Sequence, residues 1–180
     1  IETAQALDNL DAILSVEGLD AVYIGPSDLS ISLGCKPSMD DLEPKAQQAM
    51  EHILARAKEE GADLIGLSGL ITPSLEEMQH VASEMQRKGM TLPLLIGGAT
   101  TSKTHTAVKI EPRYDGATTY VLDASRAVGV VSNLLSATER DRFMAETRAD
   151  YVKVREQFER GQQDKVRTPI EAARANRLKL

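Results

Sequence analysis

Residues 63–74 read DLIGLSGLITPS, an apolar run followed by a small, hydroxyl-rich loop. The run from Leu64 to Ser68 has the length and unbroken hydrophobicity of a β-strand that is covered on both faces. Similar runs occur at residues 21–25, 94–98 and 117–122, each followed by small or polar residues and then by a helical pattern. This alternation predicts an α/β fold with a parallel sheet.

Helical patterns occupy the intervals between the apolar runs. They cover residues 4–17, 38–60, 74–89, 102–110 and 123–135. Ile1–Thr3 leaves two threadings of the sheet open: it is either the stub of a central strand, or a lead-in to a four-stranded sheet with an exposed edge. Both threadings leave backbone groups unpaired, which predicts homodimerisation or strand exchange through the sheet edge.

The character of the chain changes after Leu135. Residues 138–160 are heavily charged, yet their apolar positions follow one helical stripe that includes Phe143, Tyr151 and Phe158. We expect a long amphipathic helix packed on the domain, with a partner-binding helix, including one that forms a homodimer, as the alternative. The predicted organisation is one domain over residues 1–137 and a C-terminal helix and tail over 138–180.

Composition and charge exclude several classes of function. The formal net charge is −6, aromatic residues make up 3% and Trp is absent, which argues against a nucleic-acid partner. Cys35 is the only cysteine, so no internal disulfide forms and a reducing compartment such as the cytoplasm is expected. No apolar run approaches the roughly 18 residues of a membrane span, so a membrane partner is not expected.

The loops that follow the predicted strands are the candidate site, because ligands of open α/β sheets bind at the carboxyl ends of the strands. The loops are rich in glycine and hydroxyl residues, which allow a ligand to approach the backbone closely. Ser74, Ser102 and Asp123 are also preferred N-cap residues. His105 is the only histidine beside such a loop, and a surface role is the favoured interpretation. Neither G-x-G-x-x-G nor a Walker A motif is present.

Two carboxylates follow neighbouring strand positions. Glu2 lies at the end of the Ile1–Thr3 segment and Asp28 lies after the run at 21–25. Adjacent tips of a parallel sheet would bring them together, and two carboxylates completed by water and substrate oxygens suit Mg²⁺ or Mn²⁺. Asp28 is also an ordinary turn residue after Gly-Pro.

The first 60 residues carry a specific resemblance. The segments IETAQALDNLD (1–11) and YIGPSDLS (23–30) resemble the HpcH/HpaI aldolases, which are metal-dependent class II pyruvate aldolases with a TIM-barrel fold. The resemblance implies that Glu2 and Asp28 are the metal-ligating carboxylates, and that the backbone at Ser27–Asp28 cradles the pyruvate carboxylate. The catalytic histidine and arginine of that family lie on earlier strands that have no counterpart here, so we expect no aldolase turnover.

Residues from Ala62 onward resemble a second family. The segments DLIGLSGLITPS (63–74), LLIGGATTS (94–102) and HTAVKI (105–110) are similar to the cobalamin-binding domain of cobalamin-dependent methionine synthase, which is flavodoxin-like. The cofactor-binding residues implied for the nucleotide tail are Ser68, Leu70, Thr72, Ser74, Gly97, Gly98 and Ala99, and those implied for the dimethylbenzimidazole end are Tyr120 and Ala124. The D-x-H-x-x-G motif of the family, whose histidine ligates cobalt, is absent, which implies weakened affinity.

The two resemblances meet near Glu60-Gly61-Ala62. We therefore expect a flavodoxin-like three-layer α/β/α domain with four or five parallel strands, composed of aldolase-type units over residues 1–61 and cobalamin-domain units over 62–137. The simplest hypothesis is an engineered chimera of the two folds without catalytic turnover. The alternatives are a cobalamin-binding module with weakened affinity, and a vestigial site for a divalent metal and pyruvate.

Overall fold

The computed structural model describes residues 1–19, 21–36, 42–163 and 169–176. Its helices and strands are α1 (Ala4–Asp8), α2 (Leu10–Leu14), β1 (Ala21–Ile24), α3 (Pro26–Ser32), α4 (Pro44–Glu59), β2 (Leu64–Ser68), α5 (Ser74–Arg87), β3 (Leu94–Gly97), α6 (Lys103–His105), β4 (Thr118–Tyr120), α7 (Ala124–Leu135), α8 (Arg140–Gln163) and α9 (Ile170–Ala175). A π-helical turn (Thr106–Ile110) and a 3-10 turn (Glu111–Arg113) continue α6.

The four strands form one parallel sheet in the order β1-β2-β3-β4. The register pairs Val22 with Ile65, Ile65 with Leu94 and Leu94 with Thr118. Each strand coincides with one of the predicted runs. β2 and β3 bury nearly every side chain, as strands with helices on both faces do, whereas Tyr23 of β1 stays partly exposed. The predicted α/β fold with a parallel sheet is confirmed, and the layering of helices around it is consistent with a flavodoxin-like α/β/α arrangement.

Helices cover both faces of the sheet. α4 buries one stripe, Ala46, Met50, Ile53 and Ala57, at the spacing of a helix that packs through a single face. The larger core lies between the sheet and α4 and α5, and its members include Ile24, Ile65, Leu67, Ile96, Ile53, Met78 and Met85. The smaller core lies under α7 and the start of α8, and it includes Leu64, Leu95, Ala117, Val121 and Leu134.

Both edges of the sheet have hydrogen-bond partners. The amino group of Ile1 donates to the carbonyl of Tyr23 at 2.6 Å, and the amide of Gly25 donates to the carbonyl of Ile1 at 3.2 Å. Because β1 pairs with β2 on its other side, Ile1–Thr3 is a lead-in at the edge and not a central strand. At the opposite edge the amide of Tyr120 donates to the hydroxyl of Tyr151 at 2.8 Å, so α8 covers β4.

The described helices differ from the predicted patterns in two places. The segment 4–17 is divided at Asn9 into α1 and α2. The predicted start of the second helix at Ser38 lies outside the described residues. Ser74 is not an N-cap, because α5 is preceded by Pro73 and has no side-chain cap. Ser102 and Asp123 do cap α6 and α7, accepting from the amides of His105 and Arg126. In the described ranges, no helix is long and apolar enough to span a bilayer.

Candidate functional site

A cleft of about 650 Å³ opens at the carboxyl ends of the strands, beside the first turn of α7. We call it the α7 cleft, and it is lined by Glu2, Tyr23, Ser68, Gly97, Gly98, Ala99, Thr101, Tyr120, Val121, Leu122, Asp123, Ala124 and Ala127. Six of the nine residues predicted to bind a cofactor are in this set, together with the predicted metal ligand Glu2. The position at the strand tips is the one that parallel α/β sheets use for ligands.

Tyr23 forms part of the cleft floor. A Cβ atom on Gly66, its neighbour on β2, would lie 2.4, 2.5 and 2.6 Å from the Cε1, Cζ and Cδ1 atoms of Tyr23. These near-equal distances mean that the face of the ring covers the bare backbone of Gly66. The Tyr23 side chain is still 40% exposed, because its other side is turned to the cleft. Partial burial raises the pKa of the Tyr23 phenol.

The loops after β2 and β3 are joined through two glycines. A Cβ atom on Gly98, whose φ is +102°, would lie 2.4 Å from the backbone nitrogen and oxygen of Gly69. The amide of Gly69 donates to Gly97 at 2.9 Å, and the amide of Thr100 donates back to Gly69 at 3.1 Å. Only glycine allows backbones to approach so closely. The contact holds the two loops against each other.

Three predicted cofactor-binding residues are placed elsewhere. Leu70, Thr72 and Ser74 do not line the α7 cleft. Leu70 is 62% exposed, whereas Ser74 is fully buried on the other side of the loop. Sequence spacing could not reveal this division, because Ser74 is held by Ser27, which is 47 positions away.

Ser74 belongs to a buried polar cluster that the sequence did not indicate. Its hydroxyl donates to the hydroxyl of Ser27 at 3.0 Å, and Ser27 donates to the carboxyl of Glu77 at 2.5 Å. The hydroxyl of Ser30 lies 3.4 Å from the second carboxyl oxygen. Burial raises the pKa of Glu77, while the hydrogen bonds from Ser27 and Ser30 oppose the rise. The pattern Ser74-x-x-Glu77 reads as a capping box, which hid this role.

The two predicted metal ligands lie at one corner of the sheet but differ in their surroundings. A Cβ atom on Gly25 would lie 2.7 Å from Cγ and 2.8 Å from Oε1 of Glu2, so the Glu2 side chain lies against the turn that precedes α3. Asp28 is in the first turn of α3 and does not line the α7 cleft. Among the described residues, no group of three or more His, Cys, Asp or Glu side chains is arranged to hold a metal. Two carboxylates suit Mg²⁺ or Mn²⁺ only when water and substrate oxygens supply the other ligands.

The α7 cleft is acidic. Its titratable groups other than tyrosine are Glu2 and Asp123, and no Lys, Arg or His side chain is among the described residues that line it. Hydrogen bonds from the Ser125 hydroxyl and from the Arg126 amide lower the pKa of Asp123. His105 lies outside the cleft with Nε2 3.4 Å from the carbonyl of Leu75, and burial lowers its pKa. The described lining therefore offers no imidazole to a metal centre.

A parallel sheet of strand–helix units with a ligand-sized cleft at the strand tips places the protein among the α/β proteins, whose ligands bind at the carboxyl ends of the strands. The family model for HpcH/HpaI aldolase/citrate lyase matches residues 1–98, which is more than half of the 180 residues. The chain belongs to this family. The matched span runs through β3, so it includes the predicted join near Gly61. The resemblance of the later residues to a cobalamin-binding domain stays a prediction.

Proposed function

We propose that the protein is a binding module whose α7 cleft takes a bulky cofactor of the cobalamin type, held through its nucleotide tail. The observation that carries the proposal is the convergence of Ser68, Gly97, Gly98, Ala99, Tyr120 and Ala124 on one cleft. The volume of about 650 Å³ falls within the range of roughly 300–1,000 Å³ that is usual for small-molecule sites. Glycine backbone along one wall allows the tail to approach main-chain amides.

The side chains that line the cleft limit the ligands that the protein can offer to a bound cobalamin. Without an imidazole in the described lining, the side chains there would hold the tail and leave the cobalt without a protein nitrogen ligand. Ser68 and Thr101 would orient polar groups of the tail, and Tyr120 and Ala124 would contact its aromatic end. When bound, a cobalamin supplies alkyl-transfer chemistry at cobalt. We expect weaker affinity than a site with a histidine ligand provides.

Gly97 offers a direct test of occupancy. A Cβ atom there would meet only the carbonyl of Val121 at 3.5 Å, so a larger side chain projects into the cleft without a backbone clash. We expect hydroxocobalamin to co-elute with the wild-type protein in gel filtration, and Gly97→Leu to weaken binding at least about tenfold. Gly129→Leu is the control, since Gly129 is exposed on α7 with no neighbour within 4 Å. No co-elution, or equal binding by both variants, would contradict the proposal.

We further propose that the chain joins two ancestries, with aldolase-type units over residues 1–61 and cobalamin-domain units over 62–137, followed by the helix and tail at 138–180. The family match past Gly61 is compatible with this division, because both parent folds are built from the same kind of strand–helix unit. The two parts should unfold as one cooperative body. Amide exchange in which residues 1–61 open independently while the rest stays protected would refute this expectation of a single cooperative body.

A divalent-metal site for an oxyacid is the second candidate function, and membership of the aldolase/citrate lyase family favours it. Glu2 and Asp28 would share the ion, with pyruvate-type oxygens and water completing its shell. We expect Mn²⁺ with oxalate to raise the melting temperature, and Glu2→Gln or Asp28→Asn to abolish the rise. Asp8→Asn, an exposed carboxylate on α1, serves as the control. An unchanged response in both variants would exclude this site.

Turnover is assayed separately. We propose that the protein does not cleave or form carbon–carbon bonds with pyruvate and an aldehyde, since the aldolase resemblance assigns metal- and pyruvate-binding positions to this sequence but no catalytic histidine or arginine. Pyruvate release from a 4-hydroxy-2-oxo acid is the measurement. Activity above background that Glu2→Gln removes would replace the binding proposal with an enzymatic one.

A further inference from the structure

The α7 cleft contains an aromatic surface that neither resemblance assigns to a ligand. One face of the Tyr23 ring covers Gly66, and the ring is nevertheless 40% exposed where it lines the cleft. A ring fixed on one side and open on the other can stack against a flat ligand with little loss of side-chain freedom, because its rotamer is already held. Gly66 is required for this arrangement, since any Cβ atom there would displace the ring.

The charges of the cleft are of one sign. Glu2 and Asp123 line it, whereas the nearby cations lie on the other flank of α7. There Lys103 and Arg126 line an adjoining cavity of about 360 Å³, which shares Tyr120, Val121 and Leu122 with the cleft. Lys103 is paired with Asp150 at 2.9 Å, and the guanidinium of Arg126 lies 3.5 Å from the carboxylate of Asp123. An anionic ring beside Tyr23 would therefore meet Glu2, and Asp123 with its charge partly offset by Arg126, whereas a cationic ring would be attracted both by Glu2 and by the face of Tyr23.

We propose that the α7 cleft selects flat, positively charged nitrogen heterocycles, which stack on Tyr23 and are neutralised chiefly by Glu2, with a smaller contribution from Asp123. The inference uses the cleft of the proposed function and extends it to the chemical class of the ring that the cleft accepts. Tyr23 is the residue that determines specificity for a planar group, and the two carboxylates determine specificity for its charge. Both carboxylates are exposed, so the preference for a cation should weaken as salt concentration rises.

Three pyridines of nearly equal shape separate stacking from charge. 1-Methylnicotinamide is a cation, nicotinamide is neutral and nicotinate is an anion. Titration of each into ¹⁵N-labelled protein, followed at the amides of Tyr23, Gly66 and Ser68, should give affinities in that order, with the cation at least about tenfold tighter than the anion. Equal affinities, or tightest binding of nicotinate, would overturn the proposal.

Variants assign the two contributions. Tyr23→Leu should abolish saturable shifts for all three ligands, whereas Tyr23→Phe should keep the order. Glu2→Gln should bring the cation and the neutral ligand close to equal affinity, and Glu76→Gln, an exposed carboxylate on α5 outside the cleft, should leave the ratio unchanged. Far-UV circular dichroism checks that each variant is folded. Retained binding in a folded Tyr23→Leu variant would refute stacking on Tyr23.

Hydroxocobalamin distinguishes this inference from the proposed function. If the pyridines bind in the expected order and cobalamin does not co-elute, the proposed function fails and the selection of cationic rings stands. If cobalamin binds and the pyridines show no preference, the proposed function stands and the inference fails.

Discussion

Gly66→Ala tests whether the Tyr23 ring lies on the backbone of β2. The new methyl group would lie 2.4 Å from the nearest ring carbon, so the ring must move by about 1 Å to restore an ordinary contact of 3.4 Å. Gly66 does not have a positive φ, so alanine fits the backbone and the strain comes from the ring alone. Overpacking of this kind costs about 1–3 kcal/mol, and we expect the lower half of the range because Tyr23 is partly exposed.

A double-mutant cycle isolates the contact. In a Tyr23→Ala background, Gly66→Ala should be neutral or should stabilise by about 0.4–1 kcal/mol, because alanine restricts the unfolded chain. The coupling energy measured by urea denaturation should therefore be at least about 1 kcal/mol. Gly129→Ala, on the exposed side of α7, is the control and should stabilise slightly in both backgrounds. An equal effect of Gly66→Ala with and without the Tyr23 ring would refute the stacked arrangement.

Three further changes test buried polar groups. The Thr119 hydroxyl is buried without a partner among the described residues. Thr119→Val should therefore stabilise the protein by about 1 kcal/mol in urea denaturation. A loss of stability would show that the hydroxyl is hydrogen-bonded. Tyr151→Phe removes the acceptor of the Tyr120 amide, so it should destabilise the protein by about 1–3 kcal/mol and speed amide exchange at Tyr120. Unchanged exchange at Tyr120 would contradict the conclusion that α8 covers the β4 edge of the sheet. Burial raises the pKa of Glu77 in the folded protein above 4.5. The free energy of unfolding of the wild type, relative to Glu77→Gln, should therefore fall as pH rises from 4.5 through the raised pKa. If the two proteins change stability in parallel over this pH range, Glu77 does not titrate differently on folding.

The sequence predicts β1, β2 and β3 well because each lies in a short, largely apolar run. β2 and β3 fall inside the runs at 63–68 and 94–98, and α8 follows the predicted amphipathic stripe with Tyr151 buried. These elements depend on local periodicity, which a single sequence displays directly. The carboxyl ends of parallel strands share one edge of the sheet. This general rule is enough to place Gly97, Gly98 and Ala99 together with Tyr120 and Ala124.

The remaining features depend on contacts between distant residues. Ser27 and Glu77 are 50 positions apart, and no local pattern distinguishes their hydrogen bond from an ordinary helix cap. Similarly, the position of Tyr23 over Gly66 depends on the register between β1 and β2. The edge position of Ile1–Thr3 is one of the two threadings that the hydrophobic pattern allows, because burial constrains a strand without specifying its neighbour.

The order of the strands in space is also their order along the chain. Each strand therefore has as neighbours only those that precede and follow it, with no later segment inserted between them. Replacement or duplication of one unit at a surface turn such as Gly61, where φ is +75°, would alter two interfaces and preserve the remainder. Recombination can therefore exchange, add or remove whole strand–helix units of such a protein without changing how the other strands pair.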